Sequence, residues 1–151
     1  MKSEKFRRIV GLFLILMSLI LLFSFTSYLF TWKADDAILP DGEADNLIGR
    51  AGRAMSKFII EQGFGIASYV FVLLLCVYGI RLLLKVSVFP IGKTTRISIL
   101  ALVWISMAFG FVFGESNNLS ILSGRFGAYT NIWLAQAIGK IGTGILLLSY
   151  C

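Results

Sequence analysis

The stretch IVGLFLILMSLILLFSFTSYLF, Ile9–Phe30, runs for 22 positions without a charged residue. At a rise of about 1.5 Å per residue it makes about 33 Å of helix, enough to cross a bilayer's hydrocarbon core. Two more uncharged runs follow, 19 residues at Gln62–Ile80 and 18 at Ile97–Gly114. Of the 151 residues, 58% are hydrophobic and 15% charged, against about a quarter charged in a soluble domain. The apolar residues come in blocks and not at a period. These runs specify an all-α integral membrane protein.

The opening MKSEKFRR would suit a secretory signal, but a signal's apolar region is only about 7–15 residues long. No small-x-small cleavage site ends the run, which closes in SFTSYLFTW. Ile9–Phe30 is therefore read as a retained span. Tyr28, Phe30 and Trp32 are expected in an outer interfacial belt, where aromatic side chains with a polar tip accumulate.

A net charge of +6 would suggest nucleic acid in a soluble chain, but here it reports orientation. Eight of the 14 basic residues lie in two short segments: Lys2, Lys5, Arg7 and Arg8, then Arg81, Lys85, Lys93 and Arg96. Cytoplasmic loops are enriched in Lys and Arg, and two spans separate these segments, so both fit the same side. Residues 31–61 hold six acids and four bases and are expected outside. The topology is N-in.

The outer segment begins with KADDAILPDGEAD, a turn-rich solvated loop. Asp41, Glu43 and Asp45 invite a calcium reading, but Gly42 does not hold the place that an EF-hand glycine requires. From Asn46 the pattern turns helical. Leu47, Ala51, Met55 and Phe58 share one side, and Arg50, Arg53, Lys57 and Glu61 the other. This is an amphipathic helix, lying on the outer surface or packed as an ordinary water-exposed helix on its loop. Gly63 and Gly65 would let the chain turn into the second span.

The last segment is less regular. Phe126–Gly139 is a 14-residue uncharged run and Ile141–Cys151 one of 11, with Lys140 between them. Joined, they would place a lysine near the centre of a span, at a cost of about 2.5–3.5 kcal/mol. Separated, the first has the length of an interfacial or re-entrant helix. Tyr129 and Trp133 then suit the outer interface, and Lys140 reaches the boundary while a fourth span starts at Ile141. Eleven residues reach only about 16 Å, so the expectation is a piece of a longer protein with its fourth span truncated. A complete three-span protein with a C-terminal outer helix is the alternative. The approximate spans are 9–30, 62–80, 97–114 and 141–151, with outer loops at 31–61 and 115–140.

Several motifs carry less chemistry than their letters suggest. In SVFPIGKTTR, Ser87–Arg96, the Gly-Lys-Thr ending of a phosphate loop is present, but Ser87 stands where the first glycine belongs. Pro90 also removes an N–H from any phosphate cradle. The stretch reads as a basic loop between two spans. GKIGTG at Gly139–Gly144 is a second decoy. Ala135, Gly139 and Thr143 recur at helical spacing, which in membranes allows close helix approach. Cys76 and Cys151 form no metal-ligand spacing, and Cys76 is expected as buried packing. The chain has no histidine, its spans hold no acid, and Ser18, Ser24, Ser68 and Ser106 have no evident base. Intramembrane ionisable groups mark ion pathways, and only Lys140, at a boundary, comes close. No catalytic, cofactor or metal residue is assigned.

Ala44–Lys85, ADNLIGRAGRAMSKFIIEQGFGIASYVFVLLLCVYGIRLLLK, resembles the N-terminal membrane region of FtsK/SpoIIIE-type DNA translocases. The family's N-x-x-G-x-x-G-A helix is matched by Asn46, Gly49 and Gly52, with Arg53 replacing the usual small residue. Phe64, Gly65 and Ala67 match its Phe-Gly-x-Ala entry into the second span, and Gly79 and Arg81 its Gly-x-Arg exit. SYLFTWKADD and LSGRFGAYTNIWLAQAIGKIGTGILLL are similar to the family's first exit and its approach to the fourth span. The resemblance implies a four-span anchor at the division septum, contacting lipid, other copies of itself and cell-division proteins. In the family a linker and a hexameric motor follow, using ATP and Mg to pump DNA. That motor lies outside this sequence, so this segment is expected to have no enzymatic activity and to meet DNA only through the motor. A small multi-span transporter or channel subunit is the rival reading, and it would require polar residues converging within the spans.

Overall fold

The computed structural model describes residues 2–37, 47–85, 90–113 and 120–149. Every element among them is helical: α1 (Lys2–Ala37), α2 (Gly49–Ser56), α3 (Tyr69–Leu84), α4 (Ile91–Phe113) and α5 (Ser120–Ser149). A π-wound stretch at Lys57–Phe64 and a 3₁₀ turn at Gly65–Ser68 join α2 to α3. Four helical stretches, Glu4–Thr31, Gly49–Leu84, Ile91–Phe113 and Ile121–Ser149, are long and apolar enough to cross a membrane. The protein has an all-helical, multi-pass membrane fold.

Two compact units divide the chain, Met1–Ser56 with Tyr69–Ser98, and Lys57–Ser68 with Ile99–Cys151. In the first, α1 buries a stripe of Gly11, Ser18, Leu21, Phe25 and Tyr28, spaced three, four or seven apart as one helical face requires. The partner is α3, which buries Val72 and Gly79. Gly11 lies against Gly79, Ser18 Oγ donates to the Val72 carbonyl at 2.9 Å, and Phe25 meets Tyr69 edge-on at 5.8 Å. Partner numbers fall along α3 as they rise along α1, so the two helices are antiparallel. Leu12, Phe13, Leu16, Leu19 and Phe23 face outward.

That inversion follows from the solvent. Hydrocarbon is as apolar as leucine, so burying leucine between helices gains little there, and small residues and hydroxyls make the close contacts. Ser24 Oγ meets Ser56 Oγ at 2.8 Å, which holds α2 on α1 through its Gly52 and Ser56 face. Ser27 Oγ accepts the backbone N–H of Leu47 at 3.0 Å. The apolar stripe expected on the amphipathic helix forms the outward side, with Leu47 74% and Phe58 67% exposed. Regular α-helix ends at Ser56, two residues before Phe58.

In the second unit α4 buries Leu102, Ser106 and Gly110 at intervals of four. Ser106 Oγ donates to the Ser123 carbonyl at 2.8 Å, and Asn131 Nδ2 donates to those of Met107 and Gly127 at 2.7 and 2.8 Å. These partners ascend together, so this part of α5 runs alongside α4 in the same sense. Beyond Gly139 the order reverses. Gly144 lies against Phe111, and Trp104 Nε1 donates to the Leu147 carbonyl at 3.2 Å. The break between these segments is Gly139, with φ 75° and ψ 162°. Ile121–Ser149 is one continuous stretch only when counted across the breaks at Gly124 and Gly139.

Two sequence expectations are corrected. Tyr28, expected in an interfacial belt, is fully buried because it belongs to the α1 stripe, whereas Phe30 is outward-facing. Cys76, expected to be buried, is only half-buried on α3.

Candidate functional site

The described residues form a charged end and two seams of close backbone approach. Antiparallel packing puts the start of α1 beside the end of α3, and Glu4 forms an ion pair with Lys85 there. The Tyr78 and Thr95 hydroxyls are hydrogen-bonded, which brings the first turns of α4 to the same end. Lys5, Arg7, Arg8, Lys85, Lys93 and Arg96 are all exposed or partly exposed, and Arg81 is half-buried a turn inside. The structure thus gathers seven of the eight orientation residues on one end of the first unit, the side chain of Lys2 lying outside the described residues. Of SVFPIGKTTR, Ser87, Val88 and Phe89 lie outside the described residues. Gly92, Lys93 and Thr94 belong to the opening turn of α4, where the Thr94 N–H bonds the Pro90 carbonyl at 3.0 Å.

The first seam is the crossing of Gly11 with Gly79. A Cβ on Gly79 would stand 2.6 Å from Ile15 Cγ1 and 2.9 Å from the Gly11 carbonyl oxygen. The second lies where the chain breaks at Gly63–Gly65 and at Gly124. Gly65 and Gly124 both have positive φ, 63° and 64°, and each backbone occupies the space that the other's Cβ would need. Phe64 and Phe126 pack beside this crossing with ring centroids 4.8 Å apart. Ala67 and Ser68 are buried in the adjoining turn, with Ser68 Oγ donating to the Ile59 carbonyl at 2.8 Å.

The motif positions therefore have a physical basis. Gly52, Gly65, Ala67 and Gly79 are buried contacts and Phe64 is an aromatic contact. Gly49 opens α2 with open space where a Cβ would stand, no atom lying within 4 Å. Asn46 lies outside the described residues, as do Asp41, Glu43, Asp45 and Cys151. Ala135, Gly139 and Thr143 do not share one internal contact: Ala135 is half-buried, Gly139 is exposed, and Thr143 is buried with Oγ1 donating to the Gly139 carbonyl at 3.0 Å.

From the sequence, Ser18, Ser24, Ser68 and Ser106 are hydroxyls with no evident base and no assigned role. All four are buried hydrogen-bonding groups between or within packed segments. Sequence reasoning also missed Gly11, Gly110, Gly124, Gly127, Ser56, Ser123 and Asn131. Their signal is a small or polar residue recurring at intervals of three, four or seven along one helical face. Asn131 is distinctive, because its buried Oδ1 accepts no hydrogen bond from any described residue.

The family described as the 4TM region of DNA translocase FtsK/SpoIIIE matches residues 3–151. Comparison with curated proteins and with solved structures finds no match.

Proposed function

Since the chain belongs to the 4TM-region family of FtsK/SpoIIIE DNA translocases, we propose that it works by placement, tethering a cytoplasmic motor at the division septum. The matched region is the membrane region of such translocases and not the motor. In the proposed whole protein, ATP and Mg act in the motor, and DNA is met there alone.

The observation that carries this reading is the convergence of the basic segments. The Glu4–Lys85 pair and the Tyr78–Thr95 bond hold the start of α1, the end of α3 and the start of α4 at one end. A lysine- and arginine-rich end belongs on the cytoplasmic side by the positive-inside rule, which supports the N-in orientation. After Gly139 the chain heads toward the start of α4, since Leu147 reaches Trp104 while Gly144 faces Phe111. That direction suits a segment leading to a motor inside the cell. The outward Leu47, Met55 and Phe58, and the half-buried Ala135 beside the open Gly139, are the proposed contacts with lipid, other division proteins and further copies of the chain.

A fluorescent protein fused ahead of Met1 tests the placement. The fusion is expected to concentrate in a band at the septum of dividing cells without any motor domain attached. An even signal around the cell outline would refute a localising role for these helices.

A further inference from the structure

Basic side chains from three helices meet at one end of the first unit, and large exposed apolar residues lie between them. Phe6 separates Lys5 from Arg7, and Ile9 follows Arg8. Leu84 precedes Lys85, and Ile97 follows Arg96. Phe6, Ile9, Leu84 and Ile97 are 68%, 66%, 61% and 58% exposed. Lys85 engages Glu4, while no acidic side chain among the described residues pairs with Lys5, Lys93 or Arg96.

This interleaving suits one depth, where hydrocarbon gives way to headgroups. Apolar side chains reach the acyl chains there, and lysine and arginine extend their cationic ends toward lipid phosphates. A surface for duplex nucleic acid or an acidic soluble protein would gain nothing from phenylalanine and isoleucine set between its cations. Arginine also matches a phosphate with paired N–H donors. We propose that this end of the first unit binds anionic phospholipid headgroups, with lipid phosphates seated among Lys5, Arg7, Arg8, Lys93 and Arg96. The inference needs the anchor reading only in that the chain lies in a membrane, and it holds for either orientation.

The test reconstitutes the chain into phosphatidylcholine vesicles doped with phosphatidylglycerol. The association of spin-labelled phosphatidylglycerol is measured against that of spin-labelled phosphatidylcholine. A preference on the order of fivefold is expected at low salt, the factor that one juxtamembrane cation supplies. It should fall toward one at about 1 M salt, where the screening length is about 3 Å. Combining Lys5→Gln, Arg7→Gln, Arg8→Gln, Lys93→Gln and Arg96→Gln should abolish the preference, and Lys5→Arg with Lys93→Arg should retain it. Should the combined variant lose its helical circular dichroism, Lys93→Gln with Arg96→Gln alone must still lower the preference. An unmodified chain with no preference, neutralised variants that keep it, or added duplex DNA that displaces the labelled lipid would each overturn the proposal. Reporter fusions that place this end outside the cell would refute the N-in orientation and leave the lipid result standing.

Discussion

Gly65→Val and Gly124→Val are each expected to leave no folded protein in the membrane fraction. Two effects act together at these positions. Both residues have positive φ, 63° at Gly65 and 64° at Gly124, where a side chain costs about 1–3 kcal/mol of backbone strain. The larger effect is external. A Cβ on Gly65 would fall on the Leu122 carbonyl, and one on Gly124 on the Gly63 carbonyl and the Gly65 nitrogen. Backbone atoms cannot move aside by changing rotamer, so the two breaks would have to separate. The total should exceed about 4 kcal/mol, in the range reserved for severe core lesions, against a typical domain stability of about 5–15 kcal/mol. Gly92→Ala is the control. Gly92 lies in α4 with open space around it, and alanine there should be neutral or stabilising by about 0.5–1 kcal/mol. Membrane-fraction yield and the elution profile of detergent-solubilised protein would read the contrast, and normal folding of Gly124→Val would show that the two breaks do not touch.

Gly79→Leu is the second large effect, confined to the first unit. At the α1–α3 crossing a Cβ on Gly11 would lie 2.8 Å from the Leu83 nitrogen and 2.9 Å from the Gly79 carbonyl oxygen. Leucine at Gly79 must displace Ile15 and push α1 away, and overpacking of this kind costs about 1–3 kcal/mol before lost contacts are counted. Displacing α1 would also loosen the Ser18–Val72 and Phe25–Tyr69 contacts along the same seam. Ser18→Ala removes one of these bonds alone and should cost only about 0.6 kcal/mol, the average for such a bond in a membrane. Denaturant titration of the solubilised chain should therefore rank Gly79→Leu well above Ser18→Ala. Equal costs would mean that hydroxyl bonds and not close approach hold α1 to α3.

The parts of this fold legible in the sequence were those that depend on one segment at a time. The 22 uncharged residues of Ile9–Phe30 need no partner to be read as a membrane helix, because bilayer thickness sets the rule. Lys140 beside Gly139 likewise marked the place where α5 breaks, since a mid-span lysine is costly by itself. The packing was not legible, because in a bilayer large apolar side chains go to lipid and the core is built from residues that look incidental. Ser18, Ser24 and Ser106 read as lone hydroxyls until Val72, Ser56 and Ser123 are seen opposite them. Gly124 is one of 15 glycines, and only its meeting with Gly65 sets it apart from Gly92. Tyr28 misled for the same reason, since its belt-like neighbours give no hint that the α1 stripe turns it inward.

An anchor for a cytoplasmic motor must cross the membrane an even number of times and return its chain end to the side where it began. The most direct measurement is a pair of reporters fused after Cys151 in an otherwise intact chain, one fluorescent only in the cytoplasm and one enzymatically active only outside it. The first fusion is expected to fluoresce and the second to be silent. An active external enzyme at that position would contradict the anchor reading, since the segment after Gly139 would then not lead back to the cytoplasm.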